Sequence, residues 1–227
     1  MKENAYFKFS NTVILVPMLS VLAIWIVYWY EIRFGVNLNH YGIYPRSLKG
    51  LRGIVFSPFI HGSVGHLYNN TIPIALLTAA LVYFYREIAF KVLLFGILLS
   101  GFITWLIARP SYHIGASGVI YVLATFIFFK GIFSKHYRLV ALSLIVVFIY
   151  GSLLWYIFPL QEGISWEGHL GGFIAGLVLA IYLTTKLPRP KKYDWEREDY
   201  KEENDEFLKY FDENGDFIER PKPEDRS

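Results

Sequence analysis

The sequence contains no cysteine. Disulfides, thiolate catalysis and Cys-ligated zinc are therefore excluded. Charge is also scarce: 18% of the 227 residues are charged, where a soluble domain usually carries about a quarter. The shortage is uneven. Residues 1–187 hold 13 Lys/Arg and only 5 Asp/Glu, whereas residues 188–227 hold 9 Lys/Arg and 14 Asp/Glu. The formal net charge of +3 thus averages a basic, apolar body and an acidic tail, a balance that argues against nucleic acid as a partner. No internal repeat is visible, and the HExxH signature of metalloproteases is absent.

What the body has instead is long uncharged runs, in a chain that is 54% hydrophobic and 19% aromatic. A membrane helix needs about 20 predominantly apolar residues. Runs of that size recur at 9–30, 53–85, 92–108, 110–129, 139–161 and 168–185. They predict an all-α membrane protein, a bundle of six transmembrane helices near 9–30, 66–85, 92–108, 115–130, 139–158 and 168–186, within a membrane domain of residues 1–187. The first run is long for a signal h-region and lacks a small-residue cleavage site, so it reads as a retained helix. The first connection, 31–65, is long, and short interfacial helices are expected in it. Residues 188–227 read as a polar acidic tail, either disordered or carrying a small helix and a turn at 212–215. Eleven Lys/Arg flank the spans on the side of both termini and five on the other. Both termini are therefore predicted to be cytoplasmic, and the lack of a targeting segment fits a bacterial inner membrane.

Strongly polar groups at membrane depth are costly and are functional candidates by default. His66, Asn70, Ser117 and His169 each lie near the start of an even-numbered span, so all four sit on one side of the bilayer. Ser117, Asn70 and His169 lie roughly 18, 22 and 24 Å from the far ends of their spans at 1.5 Å per residue. That places them in the same outer third of a hydrocarbon core about 30 Å thick.

Ser117 stands in Gly115-Ala-Ser-Gly118, at a junction of loop and helix. A serine nucleophile needs an exposed Oγ, backbone room and a base within reach. The glycines Gly115 and Gly118 give room, and the Ser117 N–H at a helix start can face an oxyanion. His169 opens the sixth run, with Gly172 and Gly176 on its helical face. Their GxxxG spacing is a close-packing signature that brings His169 toward Ser117. Tyr121, four residues after Ser117, can pack against the imidazole. No carboxylate sits deep in any span; Glu162 and Glu167, the nearest to His169, are placed in a loop. The pair is therefore a dyad whose ring is oriented by packing. His66 and Asn70, at i and i+4, can donate to an oxyanion, with His61 fixing the loop before them. The blander alternatives are close helix packing for the GxSG string, an interfacial histidine for His169 and interhelix polar contacts for Asn70 and Asn69. A zinc site from His61, His66, His113 and His169 lacks a suitably spaced acidic base, so no metal is expected, and His113 reads as solvated or near a cavity mouth.

The ordered set (HxxxxHxxxN at 61–70, GASG followed by Val-Ile-Tyr121, and Gly168-His169 with a glycine face) resembles the rhomboid family. The resemblance covers roughly residues 50–185 and implies a rhomboid-like bundle with a long first loop. By that resemblance Ser117 is the nucleophile, His169 the base, and His66 and Asn70 the oxyanion donors. The implied reaction hydrolyses a peptide bond in or near the transmembrane segment of a membrane-protein substrate, inside the lipid bilayer and without a cofactor. A catalytically silent member that binds membrane clients is the alternative; a small transporter is a further one. Members of the family often carry a Trp-Arg pair in the first loop, and here only Leu51-Arg52 is near.

Overall fold

A computed structural model describes residues 7–160, 163–185 and 193–219. The chain divides into two compact units, Lys2–Leu187 and a second made almost entirely of Pro188–Ser227.

The first unit is helical. With no water to satisfy a backbone in hydrocarbon, an apolar run must bond to itself, and the helix is the one-segment solution. The helices are α1 (Thr12–Phe34), α2 (Val64–Phe84), α3 (Ala89–Ile107), α4 (Ser117–Ser134), α5 (Tyr137–Tyr150) and α6 (Trp166–Tyr182). Among the described residues, five helical segments are long and apolar enough to cross a membrane: α1 to α4, and Tyr137–Ile157, which joins α5 to the 3-10 segment Gly151–Ile157. α6, at 17 residues, lies at the short end of the usual range of about 17–25.

Four helix ends differ from the sequence expectation by four residues or more: α4 runs past Lys130 to Ser134, α6 ends at Tyr182 rather than 186, and the ends of α1 and α5 differ for reasons the structure shows. The first helix was expected to stop before the charge of Glu31, but it runs on to Phe34. Glu31 is 8% exposed and its Oε1 accepts the Leu38 N–H at 2.8 Å, so this charge caps the chain beyond the helix. Gly35, with φ +62°, ends α1 by returning its N–H to the Glu31 carbonyl. The fifth helix was expected to reach 158; its α-helical part ends at Tyr150, and Gly151–Ile157 continues as 3-10 turns. Two carbonyls of those turns bind partners in the site described below. At the other ends, Ser63 caps α2 through the His66 N–H and Ser165 caps α6 through the Gly168 N–H.

α4 is the central helix. Half of its apolar window is buried, against 11% for α1. Val119, Ile120, Leu123, Phe126 and Ile127 of α4 meet Ile74, Leu77 and Leu81 of α2, Val92 of α3, Leu139 of α5, and Ala175 and Leu179 of α6 in one core. α6 lies against α4 at backbone distance: a Cβ on Gly176 would come 2.6 Å from the Val122 carbonyl oxygen and 2.8 Å from Thr125 Cβ. At the opposite end of the pair, Lys130 Nζ donates to the carbonyls of Ala180 and Leu183, the last turn of α6 and the residue after it.

The first connection holds short helical turns at Asn39–Tyr41, Lys49–Arg52, Gly53–Phe56 and Ser57–Phe59. Arg46 Nη1 donates to the carbonyls of Leu106 and Ala108 at 3.0 and 2.9 Å, closing the end of α3. Trp105 Nε1 donates to the Ser47 carbonyl at 3.0 Å. Arg52 lies 4.3 Å above the Tyr41 ring. Arg46 and Trp105 thus anchor this connection, which has no Trp-Arg pair of its own.

In the second unit, short 3-10 turns lead to a bridge between Phe211 and Phe217. The intervening turn is held by Asp212 Oδ1, which accepts the N–H groups of Asn214 and Asp216, and by Gly215 at φ +85°. Lys2, Gln161, Glu162, Lys186, Pro188, Arg189, Lys191 and Lys192, used above for charge and boundaries, lie outside the described residues.

The α4–α6 contact yields an expectation. Gly176→Ala should lower the thermal midpoint in detergent, with a cost of about 1–3 kcal/mol for an overpacked contact. Gly151→Ala, where the nearest atom is Val147 Cγ1 at 3.8 Å, should stay within about 0.5 kcal/mol of wild type. Equal midpoints for Gly176→Ala and wild type would contradict the close approach.

Candidate active site

Ser117 is the first residue of α4, reached through the segment 108–116. Gly115 has φ +106°, and a Cβ there would lie 2.5 Å from His66 Nε2, so both its backbone and its neighbour require glycine. Its N–H donates to the Ser57 carbonyl at 2.9 Å. The next N–H, of Ala116, donates to His61 Nε2 at 3.4 Å.

His169 stands one turn into α6. Its Nε2 is 3.0 Å from Ser117 Oγ. Its Nδ1 is 2.9 Å from the carbonyl oxygen of Tyr156. A carbonyl only accepts, so Nδ1 carries the proton and Nε2 presents its lone pair to the Ser117 hydroxyl. The Tyr121 ring stacks on the imidazole at 4.4 Å and 13°. The Tyr121 hydroxyl donates to the Leu153 carbonyl at 2.6 Å. Both carbonyls belong to the 3-10 segment after α5, so that segment holds the imidazole directly and the stacked ring at its far end.

Asn70 and His66 line the same cleft, of about 860 Å³, together with Ser117, Tyr121, Tyr156 and His169. Asn70 is 3% exposed, and its Nδ2 donates one hydrogen to the His66 carbonyl at 2.9 Å. The amide has a second hydrogen available to a ligand. Gly118 and Gly172 lie where α4 and α6 meet: a Cβ on Gly172 would lie 2.7 Å from Tyr121 Cβ. Asn69 also borders the cleft.

Of the two places expected for His113, the structure gives the one near the cavity: it borders the cleft but is 5% exposed, with Nε2 3.0 Å from the Arg109 carbonyl and Nδ1 2.6 Å from Ser165 Oγ, and its backbone bridges to Ile43. Two features differ from the sequence expectation. Glu167 is not in a loop: it lies in the first turn of α6, 1% exposed, and accepts the Arg109 N–H at 3.2 Å. The second is the Tyr156 carbonyl as a partner of His169. A main-chain oxygen leaves no trace in residue identity, although Gly151 within the fifth run is a local signal that the α-helix ends early. His61 makes the loop bonds expected of it, Nδ1 to the Phe59 carbonyl at 3.3 Å and Nε2 accepting the Ala116 N–H beside Ser117.

A family model for the rhomboid domain matches residues 49–186, more than half of the chain. The chain belongs to the rhomboid family. It is an integral membrane protein whose apolar helices lie in lipid. Uncharacterized proteins of Mycobacterium tuberculosis and Mycobacterium bovis are similar to it, at 35% identity over 161 residues covering 66% of this chain and 66% of each relative. An uncharacterized protein of Mycobacterium leprae is 33% identical over 159 residues, covering 65% of this chain and 62% of its own. The match thus takes in slightly less than two thirds of each relative's length. The rhomboid segment holds every cleft residue described above, while α1 lies before it.

His61 gives this rhomboid a pH dependence. Burial, with a lesser contribution from the neighbouring His66, lowers its value from the ordinary 6.5 to about 4, against the opposing bond to the Phe59 carbonyl. Burial lowers His113 as well. The folded protein therefore binds fewer protons than the unfolded chain across that window. Stability is complete above about pH 6.5 and is lost as pH falls toward 4, by on the order of 2–3 kcal/mol for His61. Denaturant unfolding in detergent at pH 7.5 and 4.5 should show this loss. It should be smaller in His61→Gln, whose amide oxygen can accept the Ala116 N–H without titrating. Equal losses in the two proteins would refute the assignment.

Proposed function

We propose that this rhomboid is an intramembrane serine endopeptidase acting through a Ser117–His169 dyad on membrane proteins, at peptide bonds in or near their transmembrane segments. The observation that carries the reading is the pair of bonds on His169: Nε2 toward Ser117 Oγ at 3.0 Å and Nδ1 toward the Tyr156 carbonyl at 2.9 Å. That arrangement presents a base in the right tautomer, within hydrogen-bond reach of a hydroxyl at a helix start.

In the proposed reaction a substrate helix approaches beside α5 and the loop after it. It unwinds at one end, because helical carbonyls are already bonded. His169 Nε2 takes the Ser117 proton as Oγ attacks the carbonyl carbon. The oxyanion is met by the free hydrogen of Asn70 Nδ2, by His66 and by the Ser117 N–H. His169 then protonates the leaving amine. Water, activated by the same imidazole, hydrolyses the acyl-enzyme and restores Ser117. The stacked Tyr121 face supports the imidazolium that forms between the two transfers.

The topology we assign has six spans, α6 being the short sixth, with both termini cytoplasmic. Lys8, Arg86, Lys91, Lys130, Lys135 and Arg138 would lie on the inner side, and Arg33, Arg46, Lys49, Arg52 and Arg109 on the outer. The mycobacterial relatives support a bacterial cytoplasmic membrane.

The test is cleavage of a single-span reporter in liposomes. Wild type should cleave it, and Ser117→Ala and His169→Ala should each lose about a millionfold in rate, as removal of a nucleophile or base does elsewhere. Absence of cleavage by wild type, with the reporter retained on the protein, would favour a client-binding rhomboid instead. Equal cleavage by wild type and Ser117→Ala would end the serine-protease reading.

A further inference from the structure

A second polar cluster lies where the segment leading to Ser117 crosses the start of α6. Glu167, two residues before His169, is 1% exposed. Its Oε1 accepts the Arg109 N–H at 3.2 Å and lies 3.7 Å from Arg109 Nη1. Its Oε2 is buried with no hydrogen-bond partner among the described residues. Arg109 Nη2 donates to the Ile164 carbonyl at 2.6 Å. The Arg109 carbonyl lies 3.0 Å from His113 Nε2, which must therefore carry the proton. His113 Nδ1 then accepts from Ser165 Oγ at 2.6 Å, while the same Oγ accepts the Gly168 N–H at 3.3 Å.

Four of these contacts, Glu167 to the Arg109 N–H and guanidinium, Arg109 to the Ile164 carbonyl and His113 to Ser165, join the segment 108–116 to the start of α6 or to the residues just before it. That segment carries Ser117 at its end, and α6 carries His169. Ser165 caps α6 through the Gly168 N–H, whereas among the described residues Glu167 accepts no N–H of its own helix. A buried carboxylate is costly even when paired, and this one reaches across to the other segment's backbone.

We infer that Glu167 and Arg109 form a latch that positions Ser117 against His169, with His113 and Ser165 as its second pin. The inference rests on the Ser117–His169 reading, yet it can be tested without proteolysis. Because the chain has no cysteine, Ser117→Cys introduces a single thiol. Its alkylation by iodoacetamide, followed against pH in detergent, reads the titration of a thiol paired with His169. A thiol beside an imidazolium titrates below the free value of about 8.5.

In the Ser117→Cys protein the midpoint should lie below that value, and adding His169→Ala should move it up. Adding Glu167→Ala should move it up by at least half of the same interval. Adding Glu167→Gln should leave it nearer the parent, because the amide oxygen can still accept the Arg109 N–H. Ala and Gln remove the same charge, so the difference between them reads the hydrogen bond. Coincident profiles for Ala and Gln, or an Ala profile equal to the parent, would overturn the latch while the dyad stands. No effect of His169→Ala would sink the dyad and the latch together. If size exclusion shows Glu167→Ala misfolded, Arg109→Gln takes its place: it keeps the backbone bond but cuts the tie to the Ile164 carbonyl and leaves the buried carboxylate uncompensated, so it should shift the midpoint upward, and an unshifted midpoint would overturn the latch.

Discussion

The hydrogen bond between Ser117 and His169 crosses from one helix to another, and side chains as short as these can meet only where the two backbones touch. Gly172 and Gly176 provide that contact along one line of α6. Adjacent to it, Gly171 turns toward α3, where a Cβ would meet Thr104 Oγ1 at 2.8 Å. α6 is thus pressed between α4 and α3 at backbone distance along its glycines, with Ala175 and Leu179 filling the core beside them. Small residues at such crossings are how membrane helices gain packing when lipid offers no hydrophobic drive. The separation is set by glycine, the axial register by Lys130 at the far end, and the ring orientation by Tyr121 and Tyr156.

The approach to Ser117 is restrained almost residue by residue. Ala108 is tied to Arg46, Arg109 to Glu167, His113 to Ile43 and Ser165, Gly115 to Ser57, and Ala116 to His61. A loop between two helices would ordinarily be mobile. Here its backbone polar groups bond to the first connection, α6 and the segment before α2. On the proposed reading, the consequence is local rigidity where the geometry of an attacking oxygen has to be held closely. Burial of His61 and His113 follows from the same requirement, which is why a pH-dependent stability accompanies the site.

How much of this was legible in the sequence depends on which kind of atom carries the information. The membrane character came from runs lacking charge, and the family from side chains in a fixed order, because apolarity and side-chain identity are what a sequence records. The cleft groups that were hard to read are main-chain atoms: the carbonyls of Tyr156, Leu153 and Ser57 could belong to any residue. For His113 the place near the cavity was legible but its burial was not, because that burial depends on an isolated bridge to Ile43, 70 residues away. Glu31 and Glu167 were misread for a common reason. A charge at the end of an apolar run marks a helix boundary only if water receives it, and here backbone N–H groups receive it instead.

On the proposed reading, the absence of a carboxylate behind His169 follows from the medium. A soluble triad orients its imidazole with an ionised acid. In the outer third of a bilayer that acid would be a further buried charge, with a cost of a few kcal/mol at least on insertion scales. A peptide carbonyl at Nδ1 selects the same tautomer and adds no net charge. It stabilises a developing imidazolium less than a carboxylate would, and the stacked face of Tyr121 offsets part of that difference through its negative quadrupole. Glu167, a buried acid near the site, makes no hydrogen bond to the imidazole and is held by Arg109, whose partly exposed guanidinium lies close enough to compensate it. The dyad's base therefore sits between two neutral groups, and charge appears there only while a proton is in transit.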